Sequence, residues 1–189
     1  MKLDADQRSL LLKIARNSLE SGLRHGHAGY PEPASMPENL RLPGACFVTL
    51  HKQGRLRGCI GSLEAREPMA QAVAGSAFAA GFQDPRFPPL CADELTQVDL
   101  EISILSPLQD LDVSSEQDLI GRLRPGIDGL LLDEGRHHAV YLPSVWAQIP
   151  DPGQFVGQLK LKGGWPADYW SESMRVRLFQ TESIHEQAA

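Results

Sequence analysis

Residues 56–61, which read Leu-Arg-Gly-Cys-Ile-Gly, combine side chains that could bind or react with a ligand. Cys59 supplies a thiol, and Arg57 supplies a positive charge that could favour the thiolate or hold a carboxylate or phosphate. Gly58 and Gly61 flank the thiol, and a glycine inside a strand often marks close approach by a ligand or another chain. The segment therefore predicts a site with Cys59 as the candidate catalytic residue and Arg57, Gly58 and Gly61 as binding residues.

A purely structural role fits the same residues. A cysteine often behaves as a small buried hydrophobic side chain, and packing alone can require a glycine. Both interpretations remain open for Cys59. The other two cysteines, Cys46 and Cys91, are most simply core or loop thiols. Because the count of cysteines is odd and no Cys-x-x-Cys pair exists, a disulfide framework and a structural zinc site are not expected.

Three further candidate binding residues lie elsewhere in the chain. Asp84 and Arg86 fall in a segment rich in proline, residues 84–90, which cannot be helical. They form either a preorganised polar pair at a cleft or an ion pair that fixes the loop. Lys162 could contact an anion, or it could be a lysine favoured by the negative end of a helix dipole.

The histidines do not predict a metal site. His137 and His138 are adjacent in a predicted strand, so their side chains point to opposite faces and cannot easily share one ion. His25 and His27 have no third ligand near them in the sequence. We therefore expect no tightly bound zinc or iron, and the sequence identifies no cofactor.

A predicted β-hairpin positions the candidate thiol. The segments on either side of Gln53-Gly54 are β-rich, and a two-residue turn there would pair Val48 with Cys59. Period-two alternation then places Arg57, Cys59 and Gly61 on one face of the strand. We also expect the prolines of the 84–89 loop to bring it to a cleft whose wall contains Arg57 and Cys59.

The remaining patterns predict helices and strands without a βαβ rhythm. Helices are predicted from Asp4 to Gly22, from Pro68 to Gly81, from Ser114 to Gly121 and from Asp151 to Gly164. Strands are predicted at residues 98–104, 130–132, 138–142 and 174–179. Residues 23–43 form a long loop rich in glycine and proline. The prediction is a single α+β domain over residues 1–189, with a largely antiparallel sheet, flanking helices and the 98–104 strand beside the hairpin.

Charge and hydropathy exclude some classes of function. The formal net charge is −6, which argues against nucleic-acid binding through phosphate contacts because such binders need a basic surface. The first residues carry charge where a signal peptide needs an apolar run, and no window is long enough to span a bilayer. A cytoplasmic protein without a membrane segment is expected.

Seven short segments together resemble one known family. They are residues 47–50, 56–61, 84–89, 100–105, 129–130, 142–143 and 162–164. In this order, over about residues 10–184, they resemble the AMMECR-one domain family, whose bacterial and archaeal members are often called the A component of the AmmeMemoRadiSam system. Residues 56–61 match the signature of that family.

The resemblance implies an α+β fold with a major and a minor lobe, and action beside a Memo-like protein and a radical S-adenosylmethionine protein. It does not specify a reaction. The corresponding hypothesis is an enzyme, or a component of an enzyme system, with a cleft around residues 56–61. The alternatives are a non-catalytic adaptor or substrate-binding subunit and, less favoured, a role in transcription, replication, repair or translation.

One position departs from the pattern of the family. Relatives often read Cys-x-Lys-Ala-Gly where this chain has Lys160-Leu161-Lys162-Gly163-Gly164. Lys162 and Gly164 match, but Lys160 stands in the position of the cysteine. A mechanism that needs thiols at both places does not fit this chain.

Overall fold

A computed structural model describes residues 3–186, which fall into two compact units. The first unit contains the described residues up to Leu105 together with the segment from Glu182, and the second unit is Ser106–Thr181. The described helices are α1 (Ala5–His25), α2 (Glu38–Arg41), α3 (Met69–Phe82), α4 (Glu116–Arg122) and α5 (Pro152–Gly163). The described strands are β1 (Cys46–Lys52), β2 (Arg55–Gly61), β3 (Val98–Leu105), β4 (Gln109–Asp110), β5 (Gly129–Glu134), β6 (His137–Tyr141), β7 (Arg175–Phe179) and β8 (Thr181–His185).

The first unit is built on a four-stranded sheet with the order β2-β1-β3-β8. Strands β1 and β2 form the predicted hairpin, and both turn residues have positive φ, +53° at Gln53 and +72° at Gly54. Such values are typical of the tight turns that match the twist of a hairpin. Strand β1 also pairs antiparallel with β3, so the predicted neighbour relation between the hairpin and residues 98–105 is confirmed.

The register of the hairpin differs from the prediction. Lys52 pairs with Arg55, as a two-residue turn requires, but Thr49 and not Val48 lies opposite Cys59. The register shifts after Leu50, and the extra residue on β2 is Arg57, which forms a β-bulge. The prediction placed Arg57 and Cys59 on one face of β2 because it assumed an unbroken alternation of side chains. The bulge interrupts that alternation between the two residues.

Helices α1 and α3 cover one face of this sheet, and two of their glycines have roles that differ from the prediction. The capping box of Asp4 and Gln7 is present, but α1 continues past Gly22 and ends at Gly26, whose φ is +76°. A Cβ on Gly22 would lie 2.2 Å from the ring of Phe82, so this glycine permits helix packing and does not end the helix. Likewise α3 continues past Gly81, which packs against Leu19.

The predicted loop at residues 23–43 is wrong at both ends, because α1 includes residues 23–25 and α2 lies within it. The predicted loop at 84–90 contains no helix or strand, as its prolines require. No described helix, from residue 3 to residue 186, is long and apolar enough to cross a membrane.

The second unit has its own four-stranded sheet, with the order β4-β7-β5-β6. Its α4 is capped by Ser115, one residue later than predicted, and its α5 is capped by Asp151 and ends at Gly164 as predicted. The rings of Trp146 and Phe155 stack 3.7 Å apart in its core. The α+β class with antiparallel pairing is confirmed, and the strands are divided between two sheets.

Candidate functional site

The backbone of Cys59 is held at the open edge of the first sheet. Strand β2 is the outer strand there, so the N–H and C=O of Cys59 have no strand beside them. The Cys59 N–H donates to Oδ2 of Asp84 at 2.9 Å, and Arg86 donates to the Cys59 carbonyl at 3.3 Å. Asp84 and Arg86 thus bind the backbone groups that a neighbouring strand would otherwise bind.

Asp84 and Arg86 also form a bidentate ion pair. Arg86 donates to both carboxylate oxygens of Asp84, at 2.9 and 2.6 Å. The Asp84 side chain is 2% exposed, whereas that of Arg86 is 54% exposed. Hydrogen bonds from Arg86 lower the pKa of Asp84 well below its ordinary value, outweighing the opposing effect of burial, and the Cys59 N–H lowers it further.

We expect the Asp84→Asn variant to lose about 2 kcal/mol of unfolding free energy at pH 7, because the buried carboxylate pairs with Arg86. A carboxyl group with a lowered folded pKa stabilises the fold above its unfolded pKa of about 4, and that contribution is lost as pH falls further. Urea unfolding from pH 7 to pH 3 should show a constant difference between the two proteins down to about pH 5, and a shrinking difference below about pH 4. A difference independent of pH would contradict this role.

Arg57 is anchored by the residues that follow α3. It donates to both oxygens of Glu94, at 3.1 and 2.7 Å, and to the carbonyl of Pro88 at 3.0 Å. Lys52 also binds Glu94, at 3.0 Å. Hydrogen bonds from Arg57 and then from Lys52 lower the pKa of Glu94 below its ordinary value. The bulge therefore points the buried Arg57 side chain into a partly buried ion-pair network.

Nη1 of Arg57 has no hydrogen-bond partner among the described residues. The Arg57 side chain is only 9% exposed, and Nη1 itself is buried. The centre of the Phe87 ring lies 5.9 Å from the guanidinium carbon of Arg57 and 5.5 Å from that of Arg86. Buried donors in proteins are normally paired, so this nitrogen is an exception within the network.

The two glycines of the segment allow close approach by parts of this chain. A Cβ on Gly58 would lie 2.1 Å from the carbonyl oxygen of Ala80 in α3. A Cβ on Gly61 would lie 2.2 Å from the carbonyl oxygen of Cys46 in β1. Both positions are occupied by backbone, so the glycines fix the strand against the helix and its neighbouring strand.

The thiol of Cys59 lies on the sheet face opposite the helices. Cys59 is half-buried, and the Thr49 hydroxyl donates to its sulfur at 3.2 Å. Thr49 pairs on its other side with Glu101 of β3, so the three residues form a row across the sheet. His51 follows two residues after Thr49 on the same face. Among residues 3–186, no acid or base forms a hydrogen bond with the Cys59 sulfur.

The other two thiols have contrasting environments. Cys46 is buried in the core, and burial raises its pKa to about 12. Cys91 is exposed, and its sulfur lies 3.6 Å from Oε2 of Glu94. Only Cys59 is both partly exposed and part of the 56–61 segment.

Lys162 belongs to the second unit. Its ammonium donates to the carbonyl of Val140 at 2.8 Å and lies 5.1 Å from the centre of the Tyr141 ring. Lys160, the position at which the sequence departs from the expected pattern, is fully buried and binds Glu116 at 2.7 Å and the carbonyl of Tyr169 at 3.0 Å. Position 160 therefore has a packing role here.

Two residues that organise the site were not predicted. Glu94 pairs with Arg57, and Thr49 contacts the thiol, but neither carries a sequence pattern that marks it. A correct hairpin register would have identified Thr49, whereas Glu94 is brought to Arg57 only by the tertiary fold. In the part of the chain that the structure describes, no group of three or more His, Cys, Asp or Glu residues could hold a metal ion.

Comparison with known proteins establishes the family. The AMMECR1 family profile matches residues 12–184, and the chain belongs to this family, the AMMECR-one family of the sequence analysis. A protein of Methanothermobacter thermautotrophicus is 37% identical, over 97% of this chain and 96% of its own length. Protein MJ0810 of Methanocaldococcus jannaschii is 33% identical, over 80% of this chain and 78% of its own.

The fold is shared with a solved structure. The crystal structure of the uncharacterized protein PH0010 from Pyrococcus horikoshii has a TM-score of 0.90 to this chain. It is 28% identical in sequence, and the match covers 99% of this chain and 95% of that one.

Proposed function

We propose that this protein is a component of an enzyme system in which residues 56–61 present the Cys59 thiol to a substrate. Asp84 binds the N–H of Cys59 and Arg86 binds its C=O, and this clamp on the backbone is the observation that supports the proposal. Because both backbone groups of Cys59 are bound, its thiol is held in place before a substrate arrives. Such preorganisation lowers the free-energy cost of reaching a reactive geometry.

The charges around the clamp favour an anionic substrate group. Arg86 is half exposed, and the ring of Phe87 lies near its guanidinium group and near that of Arg57. An exposed arginine suits a carboxylate or phosphate oxygen. Arg86 also binds the carbonyl of Cys59, so it holds the backbone that carries the thiol.

The family suggests the setting of this activity. In this proposal, the protein acts in the cytoplasm beside a Memo-like protein and a radical S-adenosylmethionine protein. The alternative is a non-catalytic adaptor or substrate-binding subunit of the same system. It is favoured by one observation, namely that the only hydrogen bond to the Cys59 sulfur from the described residues comes from Thr49, a neutral hydroxyl. Lys162 remains a candidate anion contact in the second unit.

Alkylation of the thiols tests the proposal. In a Cys91→Ser background, which removes the exposed thiol, we expect iodoacetamide to label Cys59 in the folded protein at pH 7. Cys46 should react only after unfolding, because burial raises its pKa to about 12. Adding Arg86→Ala should slow the labelling of Cys59 severalfold, whereas Arg55→Ala, an exposed arginine on the same strand, should not. Peptide mass spectrometry over time measures each rate.

If Cys59 is labelled only when the protein unfolds, it is not a nucleophile, and the adaptor alternative is favoured. If Arg86→Ala and Arg55→Ala give equal rates, Arg86 does not promote the reactivity of the thiol. Thermal unfolding of each variant shows whether a change in labelling rate comes from the removed side chain or from unfolding of the protein.

A further inference from the structure

A groove of about 630 Å³ runs between α1 and β8 in the first unit. Strand β8 ends the sheet at the edge opposite β2, so this groove is remote from the site around Cys59. Its α1 side includes Arg8, Lys13 and Arg16, and its other side includes Ser183 and His185 of β8 and Glu186, which follows β8.

The backbone of β8 presents an unpaired edge. The N–H of Glu186 donates to the carbonyl of Leu100 on β3 at 3.0 Å, so the backbone of residue 186 points into the sheet. Backbone groups of successive strand residues point to alternate sides, which turns the N–H and C=O of Ser183 and His185 outward. Both residues are exposed, and no other described segment hydrogen-bonds to their outward groups.

The α1 wall of the groove is cationic. Arg8 pairs with Glu182 at 2.7 Å, and its side chain remains 47% exposed. Arg16 binds Glu186 and the carbonyls of Leu95 and Val98, which ties the helix to the sheet. Lys13 is exposed and forms no ion pair with any described residue. Three cations on α1 face two carboxylates, Glu182 and Glu186, so the groove carries one net positive charge, contributed by Lys13, in a chain whose formal net charge is −6.

We propose that the groove binds an extended acidic segment of another protein, which adds to β8 as a fifth strand of the sheet. An open strand edge supplies main-chain hydrogen bonds to such a segment, and pockets beside the strand select its side chains. The outward groups of Ser183 and His185 bind the backbone of the segment. Lys13 and Arg8 on α1 attract its carboxylates. The segment is a partner-docking element, distinct from the substrate of the Cys59 site.

The test uses a fluorescein-labelled octapeptide of alternating aspartate and valine, and a control octapeptide of alternating lysine and valine. Fluorescence anisotropy at low ionic strength measures binding to the full chain. We expect saturable binding of the acidic peptide and no saturable binding of the basic one, because the groove is cationic.

A proline substitution separates backbone pairing from charge. Ser183→Pro removes the outward N–H and should weaken binding about tenfold, whereas Ser183→Ala keeps that N–H and should change binding less than about twofold. Proline is tolerated on an edge strand, so the inward hydrogen bonds of β8 are retained. Lys13→Glu, on an exposed helix position, should weaken binding of the acidic peptide about fivefold.

Three results would overturn the proposal. They are the absence of saturable binding of the acidic peptide, equal binding of the two peptides, and equal affinity of Ser183→Pro and Ser183→Ala. If Ser183→Pro fails to fold, as judged by circular dichroism, Lys13→Glu decides alone, and its unchanged affinity would contradict the cationic groove.

Discussion

Replacing Gly58 with alanine is expected to destabilise the first unit by about 3 kcal/mol. The added Cβ would lie 2.1 Å from the carbonyl oxygen of Ala80. That oxygen belongs to the backbone of α3, so relief requires the helix or the strand to move, and a side-chain rotation is not enough. Moving β2 would also disturb the hydrogen bonds that hold Cys59 to Asp84 and Arg86. Chemical denaturation followed by circular dichroism measures the loss.

Gly157→Ala provides the matched control for this substitution. Gly157 lies within α5, and a Cβ there would meet no atom within 4 Å. Alanine at such a helical position should stabilise the second unit by about 0.5–1 kcal/mol. Opposite signs for the two substitutions would identify the contact with Ala80 as the cause. Equal, small effects would contradict the close approach of α3 to Gly58.

Local signals in the sequence were sufficient for several elements. The Gln53-Gly54 turn was predicted because few residue pairs adopt positive φ at both positions, and the structure has +53° and +72° there. The capping box of α1 and the N-cap of α5 were predicted because a side chain binds a backbone group only three residues away. The alternation in β3 was predicted because one face of that strand is buried in the core.

Glycines were interpreted wrongly where their role depends on distant residues. Gly22 and Gly81 were predicted to end helices, as glycine often does. The structure instead places them against Phe82 and Leu19, which are far away in the sequence. A glycine that ends a helix and one that admits a neighbouring side chain have the same local pattern, so the sequence alone does not separate them. The same reason applies to Gly58, whose neighbour is Ala80.

The residues of the candidate site were named from the sequence, but their arrangement was not. Cys59, Asp84 and Arg86 were each named, and the structure joins them through the backbone of Cys59. The bulge at Arg57 was missed because strand periodicity assumes an unbroken ladder. The ion pair between Arg57 and Glu94 is a tertiary contact, so no pattern in the sequence of β2 predicts it.

Lys160 is the second place where a large effect is expected, and it lies in the second unit. Its side chain is fully buried, and its ammonium binds the carboxylate of Glu116 at 2.7 Å and the carbonyl of Tyr169 at 3.0 Å. A buried ion pair contributes little net stability, because the charges lose their hydration on folding. Removing one partner is costly, since the other charge is then left buried without compensation.

We expect Glu116→Gln to destabilise the second unit by about 3 kcal/mol, near the lower end of the usual range because the Glu116 side chain is 26% exposed. Lys160→Met removes the buried charge and keeps an apolar chain of similar length, so it should cost less than about 1 kcal/mol. The double variant Glu116→Gln with Lys160→Met should be about as stable as Lys160→Met alone, which gives a coupling energy of about 3 kcal/mol between the two positions. Urea unfolding of the four proteins closes this double-mutant cycle. Additive effects would show that Lys160 and Glu116 do not interact.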